Sequence, residues 1–247
     1  MTGTTTSGLH LPRYFLEDAA LRTPVGYSEY KSTALRAPLR TPVDLPNRLT
    51  EITGPVLGED RVKPEDADLT LRNGGEAVGQ RILVYGRVLD SDGRPVPDAL
   101  VEVWQANAGG RYRHVVDVFP APLDPHFDGL GRVVTDSLGR YEFLTIKPGA
   151  YPWGNHHNAW RPAHIHFSLF GRAFTQRLVT QMYFPDDPLF GQDPIYNAIP
   201  PAARYRAISR FSLERTVDNW ALAFEWNIVL RGRDQTPFET QDDGDVA

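Results

Sequence analysis

Residues 80–104 and 131–143 of this 247-residue chain carry the same phrase: an alternating run, a Gly turn and a second run. In the first copy Ile82, Val84 and Gly86 alternate with Leu83, Tyr85 and Arg87, Asp90-Ser91-Asp92-Gly93 turns the chain, and 99–104 follows. In the second copy Gly131-Arg132-Val133-Val134-Thr135 leads through Ser137-Leu138-Gly139 into Tyr141-Glu142-Phe143. Period-two alternation rich in β-branched residues marks strands with one buried face. Further strands are expected at 164–170, 174–184 and 224–231, with short helices near 64–70 and 200–209. Gly and Pro number 21 each, which favours turns over long helices, so the expected class is all-β, an antiparallel β-sandwich. Two long turn-rich loops, 105–130 and 147–163, separate the strands, and loops of that length commonly carry function.

Residues 1–75 have a different character. Pro24, Pro38, Pro42 and Pro46 interrupt any helical period, while Tyr14, Phe15, Tyr27 and Tyr30 supply apolar surface. This pattern predicts an extended N-terminal arm that packs on a partner chain and on the core, with residues 76–247 forming the sandwich.

Several functions are excluded by composition. A net charge of −5 offers no electrostatic footprint for nucleic acid. No apolar run reaches the roughly 18–20 residues of a membrane helix, and the first residues lack a basic start followed by an apolar stretch. A cytoplasmic location is the expectation. There is no cysteine, so disulfides, thiolate nucleophiles, iron–sulfur clusters and Cys-type zinc sites are out. Any metal must be held by nitrogen and oxygen.

Nitrogen donors are at hand in Arg161-Pro162-Ala163-His164-Ile165-His166-Phe167. Side chains alternate across a strand, so His164 and His166 share one face while Ile165, Phe167 and Leu169 supply a core on the other. Paired imidazoles suit a metal, although a His-x-His pair alone fits a hydrogen-bonded strand equally well. The two loops add Tyr112, after Gly109-Gly110-Arg111, and Tyr151, after Pro148-Gly149-Ala150. A phenol binds metal only when a strongly charged ion displaces its proton. A lone tyrosine in a turn is more often a packing residue.

The wording around these residues is more specific. Glu29-Tyr30-Lys31-Ser32-Thr33, Glu51-Ile52-Thr53-Gly54-Pro55, the stretch from Trp104 through Tyr112, Thr145-Ile146-Lys147-Pro148-Gly149, Tyr151-Pro152-Trp153 and the stretch from Trp160 through Phe167 resemble the ferric intradiol ring-cleavage dioxygenases. The resemblance runs from about residue 27 to 238. It implies Fe(3+) held by Tyr112, Tyr151, His164 and His166, with Tyr151 also catalytic as the ligand that leaves on substrate binding. It implies that Arg161 is catalytic, and that Tyr30, Trp153, Gln181 and Ile195 line the substrate pocket. It further implies protocatechuate (3,4-dihydroxybenzoate) and O2 as substrates, 3-carboxy-cis,cis-muconate as product, and a homologous alpha subunit in an (alpha-beta)n heteromultimer.

Three other readings compete. Enzymes for catechol or hydroxyquinol share the ligand phrases but begin with a helical dimerisation region, unlike this Pro-rich arm. An alpha subunit would lack the ligand set. A transthyretin (prealbumin)-like binding module without chemistry shares the sandwich topology expected here, and the repeated strand–turn–strand units alone permit it. His10, His114, His126, His156 and His157 are read as surface or loop residues.

Overall fold

The computed structural model describes residues 62–154, 159–170 and 177–238. Most of the expected arm, with Tyr30 and His10, lies outside them, as do His156 and His157. The described residues form thirteen strands: β1 Leu71–Arg72, β2 Gly75–Glu76, β3 Arg81–Leu89, β4 Leu100–Trp104, β5 Leu130–Val134, β6 Arg140–Ile146 and β7 Tyr151–Trp153, then β8 Ala159–Arg161, β9 His164–Phe170, β10 Arg177–Tyr183, β11 Arg210–Val217, β12 Ala221–Glu225 and β13 Ile228–Val229. Among the described residues helix is confined to a five-residue α-helix, Pro194–Ala198, and short 3-10 turns at Pro64–Ala67, Phe190–Gln192 and Pro201–Ala207. Among the described residues no helix is long and apolar enough to cross a membrane.

Two sheets face each other. One runs β10-β9-β4-β5, antiparallel throughout; the other runs β11-β12-β3-β13 with β6 on the far edge of β3. The alternating burial of β3 and β6 is the pattern that sequence periodicity predicts for strands with one inward face. Ile82, Val84, Val88, Tyr141 and Phe143 from one sheet meet Val101, Val103, Ile165, Phe167 and Leu169 from the other in a single core. Phe167 is the keystone, with its ring edge-on to both Tyr141 and Trp226. The all-β sandwich expectation stands.

Details differ from the expectation in three places. The run 224–231 is two short strands, because β12 and β13 both lie parallel to β3 and the chain breaks between them. Gly86 makes room at that break, since a Cβ there would sit 1.7 Å from the Trp226 carbonyl oxygen, which also accepts the Tyr141 hydroxyl at 2.6 Å. Asn227 covers the gap by accepting the Arg87 amide. The loop 147–163 contains a hairpin of its own, β7 against β8, in which Tyr151 lies opposite Arg161. β11 had no clear sequence signal, because it is an edge strand whose side chains are mostly exposed and do not alternate.

Candidate active site

Two loops must touch for Tyr112 and Tyr151 to meet, and glycines allow it. Asn107 organises the first loop, its side-chain oxygen accepting the amides of Gly109 and Arg111 while its carbonyl accepts Gly149 N from the second. Gly110 has φ +79°, and a Cβ there would lie 2.1 Å from the Ala150 carbonyl oxygen. Gly149 packs as tightly on the Ala108 carbonyl. With the backbones in contact, the Tyr112 and Tyr151 rings stand edge to face, 5.5 Å between centroids. Asp117 fixes the loop beyond by accepting the Tyr112 amide at 2.8 Å.

The imidazoles come from β9, whose opposite face feeds the core. Strand register places Trp104 of β4 and Gln181 of β10 on either side of His166, and Tyr183 beside His164. Four polar tips then form a chain: Tyr151 hydroxyl to His164 Nε2 at 3.3 Å, His164 Nε2 to His166 Nε2 at 3.2 Å, His166 Nε2 to Tyr112 hydroxyl at 3.1 Å. His164 donates from Nδ1 to the Pro162 carbonyl at 2.7 Å, which leaves its Nε2 lone pair pointing at the cluster. His164 is deeply buried, whereas His166, Tyr112 and Tyr151 are half-buried, so the cluster is partly accessible.

Electrostatics hold the imidazoles neutral. Burial, then the nearby Arg161 charge, push His166 down to about 3, and burial, Arg161 and His166 push His164 well below its ordinary value. Burial raises both phenols, Tyr112 strongly, with Arg161 pulling against the rise at Tyr151. Such phenols ionise only where a cation replaces the proton.

Arg161 ends β8 and is almost wholly buried. Its Nη2 donates to the Gln181 side-chain oxygen and, at 3.2 Å, to the Tyr183 hydroxyl. Its Nε lies 3.0 Å from Asp193 Oδ1, off the hydrogen-bond direction, so this contact is an ion pair rather than a hydrogen bond. The guanidinium carbon stands 5.8 Å from the Trp153 ring centre. The structure therefore brings together Tyr112, Tyr151, His164, His166, Arg161, Trp153 and Gln181. Gln181 faces Arg161, and Ile195 occupies the first turn of the helix Pro194–Ala198, its amide held by Asp193. Sequence reasoning missed Asp193 and Tyr183. An Asp-Pro helix start was the available signal for the first; nothing marked the second. His114 is exposed, and neither it nor His126 bonds to the cluster.

Among the described residues no three His, Asp or Glu side chains gather as a metal site, so a metal-binding reading depends on the two phenols. The donors present fit such an ion. Ligand atoms about 2.0 Å from a metal and 90–120° apart lie about 2.8–3.5 Å from one another, and the spacings of 3.1–3.3 Å fall within that range.

A sandwich with a two-Tyr, two-His cluster at the mouth of one sheet defines a class, and comparison with known proteins agrees. The chain belongs to the intradiol dioxygenase family, whose model, described as dioxygenase, matches residues 52–232. It is 59% identical over 215 residues to the protocatechuate 3,4-dioxygenase beta chain of Burkholderia cepacia, covering 86% of this chain and 92% of that one. It is 32% identical to the protocatechuate 3,4-dioxygenase alpha chain of Pseudomonas putida, covering 66% and 77%. The fold is shared with the 3-chlorocatechol 1,2-dioxygenase of Rhodococcus opacus, with a TM-score of 0.53, 24% identity, and 74% and 71% of the chains covered.

Proposed function

We propose that this chain is the iron-bearing beta chain of a protocatechuate 3,4-dioxygenase, which cleaves protocatechuate with O2 to 3-carboxy-cis,cis-muconate. The observation that carries the reading is the chain of four donor tips at 3.1–3.3 Å, beside a buried arginine. Tyr112, Tyr151, His164 and His166 hold the metal. Two phenolates and two neutral imidazoles suit Fe(3+), a hard ion whose charge they reduce to about +1. A ferric ion held there would supply Lewis acidity toward the catechol oxygens.

The protein's own groups do the rest. Tyr151 would serve as the base that takes a catechol proton, and burial favours its protonated phenol whenever it is not bound to a cation. His164, locked by Pro162, and His166, flanked by Trp104, keep their Nε2 atoms aimed while Tyr151 moves. Arg161 stands ready with a positive charge that needs no reorganisation as negative charge grows on the ring carbon under attack by oxygen. Trp153 and Ile195 form pocket walls and Gln181 steadies Arg161, while Tyr30, the fourth pocket residue that the resemblance implies, lies outside the described residues. A homologous alpha chain pairs with this one in an (alpha-beta)n assembly, and the arm of residues 1–75 packs on that partner and on this chain's own core, where Leu69 is buried.

The test is a visible spectrum of the chain purified with its alpha partner, before and after anaerobic protocatechuate. A broad tyrosinate-to-iron band that shifts on substrate addition supports the reading. A colourless protein with stoichiometric partner and no iron overturns it.

A further inference from the structure

We infer that Asp193 is a positioning residue of this site: its buried carboxylate aims the Arg161 guanidinium and starts the helix that carries Ile195. The inference rests on the role proposed above for Arg161. Asp193 has no exposed surface and Arg161 only 2%. A charge so buried needs a charged partner and hydrogen bonds on its remaining lone pairs. Asp193 has both. Oδ1 lies 3.0 Å from Arg161 Nε and accepts the Ile195 amide at 2.9 Å, while Oδ2 lies 3.2 Å from the Tyr183 hydroxyl.

Tyr183 shows how the network is ordered. Its hydroxyl has one proton and two acceptors in reach, Gln181 Oε1 at 3.1 Å and Asp193 Oδ2 at 3.2 Å. A carboxylate is the stronger acceptor, so the proton goes to Asp193. The Gln181 oxygen is then left for Arg161 Nη2, and the hydroxyl oxygen accepts from the same Nη2. Asp193 thus sets one edge of the guanidinium directly and the other through Tyr183. The remaining wall, Trp153 at 5.8 Å, limits the plane. One carboxylate fixes the cation and, through the cap on Ile195, a piece of pocket wall, so the two cannot shift independently.

The discriminating variant is Asp193→Asn in the iron-loaded alpha–beta assembly. Asparagine caps a helix as well as aspartate does, so an Asp193 that serves stability alone predicts a lower melting temperature with wild-type kcat. A positioning Asp193 predicts kcat lower by about ten- to a hundredfold, with the tyrosinate band and iron content unchanged. In a crystal structure of the variant, the guanidinium is expected to have left its place beside Trp153 and Tyr183. On an Arg161→Ser background the same substitution adds less than about a twofold further loss, because the group it acts through is already gone. Wild-type kcat in Asp193→Asn overturns the inference, as does a fully additive loss in the double variant or a guanidinium that has not moved. If Arg161→Ser itself cleaves at the wild-type rate, the role of Arg161 falls and this inference with it. Should Asp193→Asn fail to fold, Asp193→Glu keeps the charge and displaces it by one methylene; an undiminished kcat there overturns the inference equally.

Discussion

The Trp104 indole lies flat on the His166 imidazole, with ring centroids 4.8 Å apart and planes 2° from parallel. The two residues are cross-strand partners on β4 and β9, so backbone register delivers the stack. His164 has a hydrogen bond to fix its ring; for His166 the indole face does that work. Replacing Trp104 with Ala leaves the ring free to turn about χ2. We predict iron affinity about ten- to a hundredfold weaker, read as faster iron loss to a chelator, with the sandwich intact by circular dichroism. Unchanged chelation kinetics would show that the stack is incidental.

Arg161→Ser removes the buried positive charge proposed to act on the reacting ring while sparing every proposed iron ligand. The predicted loss is about 10²–10³ in kcat, the scale for deleting one preorganised electrostatic donor. Stability falls too, since the variant strands the buried Asp193 carboxylate, at about 3–5 kcal/mol for a broken buried pair. Arg161→Lys restores the charge but not the planar fork shared between Asp193, Gln181 and Tyr183, so it recovers only part of the rate. Stopped-flow oxygen uptake and urea midpoints check both halves.

Gly110 and Gly93 have nearly the same backbone, φ +79° and +75°, but different surroundings. A Cβ on Gly93 meets nothing within 4 Å, whereas one on Gly110 runs into the Ala150 carbonyl. Gly93→Ala therefore reports left-handed strain alone, about 1 kcal/mol. Gly110→Ala adds the collision that pushes apart the loops bearing Tyr112 and Tyr151. We predict a larger drop in melting temperature for Gly110→Ala and, in that variant only, loss of bound iron. Equal behaviour of the two would mean that the loop contact is not what unites the tyrosines.

The alternating runs on β3, β4 and β6 made the sandwich legible, because each has one face in the core and one less buried, while β9 is buried on both faces and its sequence pattern shows in the Ile165, Phe167 and Leu169 face alone. The same logic located His164 and His166 on a shared face. It failed where burial does not alternate: at β11 on the sheet edge, and at the break between β12 and β13, where a side-chain-free Gly86 on another strand makes the gap possible. The loop tyrosines were legible only through the phrases around them, since nothing in spacing says that residues 112 and 151 meet. Asp193 escaped for a deeper reason. Its role depends on a partner far away in sequence, and an aspartate before proline reads locally as a helix cap and nothing more.

Removing the metal exposes the cost of burying two imidazoles. The folded chain holds His166 down to about 3 and His164 well below its usual value, chiefly by burial. In the unfolded chain both take up protons near pH 6.5. The unfolded state therefore binds more protons as pH falls, and metal-free stability present above pH 6.5 is lost progressively toward pH 3. The slope reaches about 1.4 kcal/mol per pH unit for each histidine. Urea midpoints of the metal-free assembly should drop between pH 7.5 and 5, and drop less in a His164→Asn, His166→Asn chain. Identical slopes in the two would refute the assignment.

Tyr112 and Tyr151 offer chemically alike oxygens, yet their surroundings make them unequal. Burial raises both phenols, but Arg161 is the second influence on Tyr151 and counters the rise, while at Tyr112 the neighbouring Tyr151 adds to it. Tyr151 also lies opposite Arg161 in the β7–β8 hairpin, whereas Tyr112 sits on a loop anchored by Asn107 and Asp117. A ligand that leaves and returns needs a phenolate and a phenol of similar energy, and Tyr151 comes nearer to that balance. Tyr151→Phe should therefore keep its iron, lose part of the tyrosinate band, and bind catechols with altered kinetics, because no internal base receives the proton. Tyr112→Phe should instead lower iron occupancy, since on the proposed reading Tyr112 is the phenolate that stays. Anaerobic stopped-flow titration with protocatechuate separates the cases. Normal chelation rates in Tyr151→Phe would rule out its displacement as the step that admits substrate.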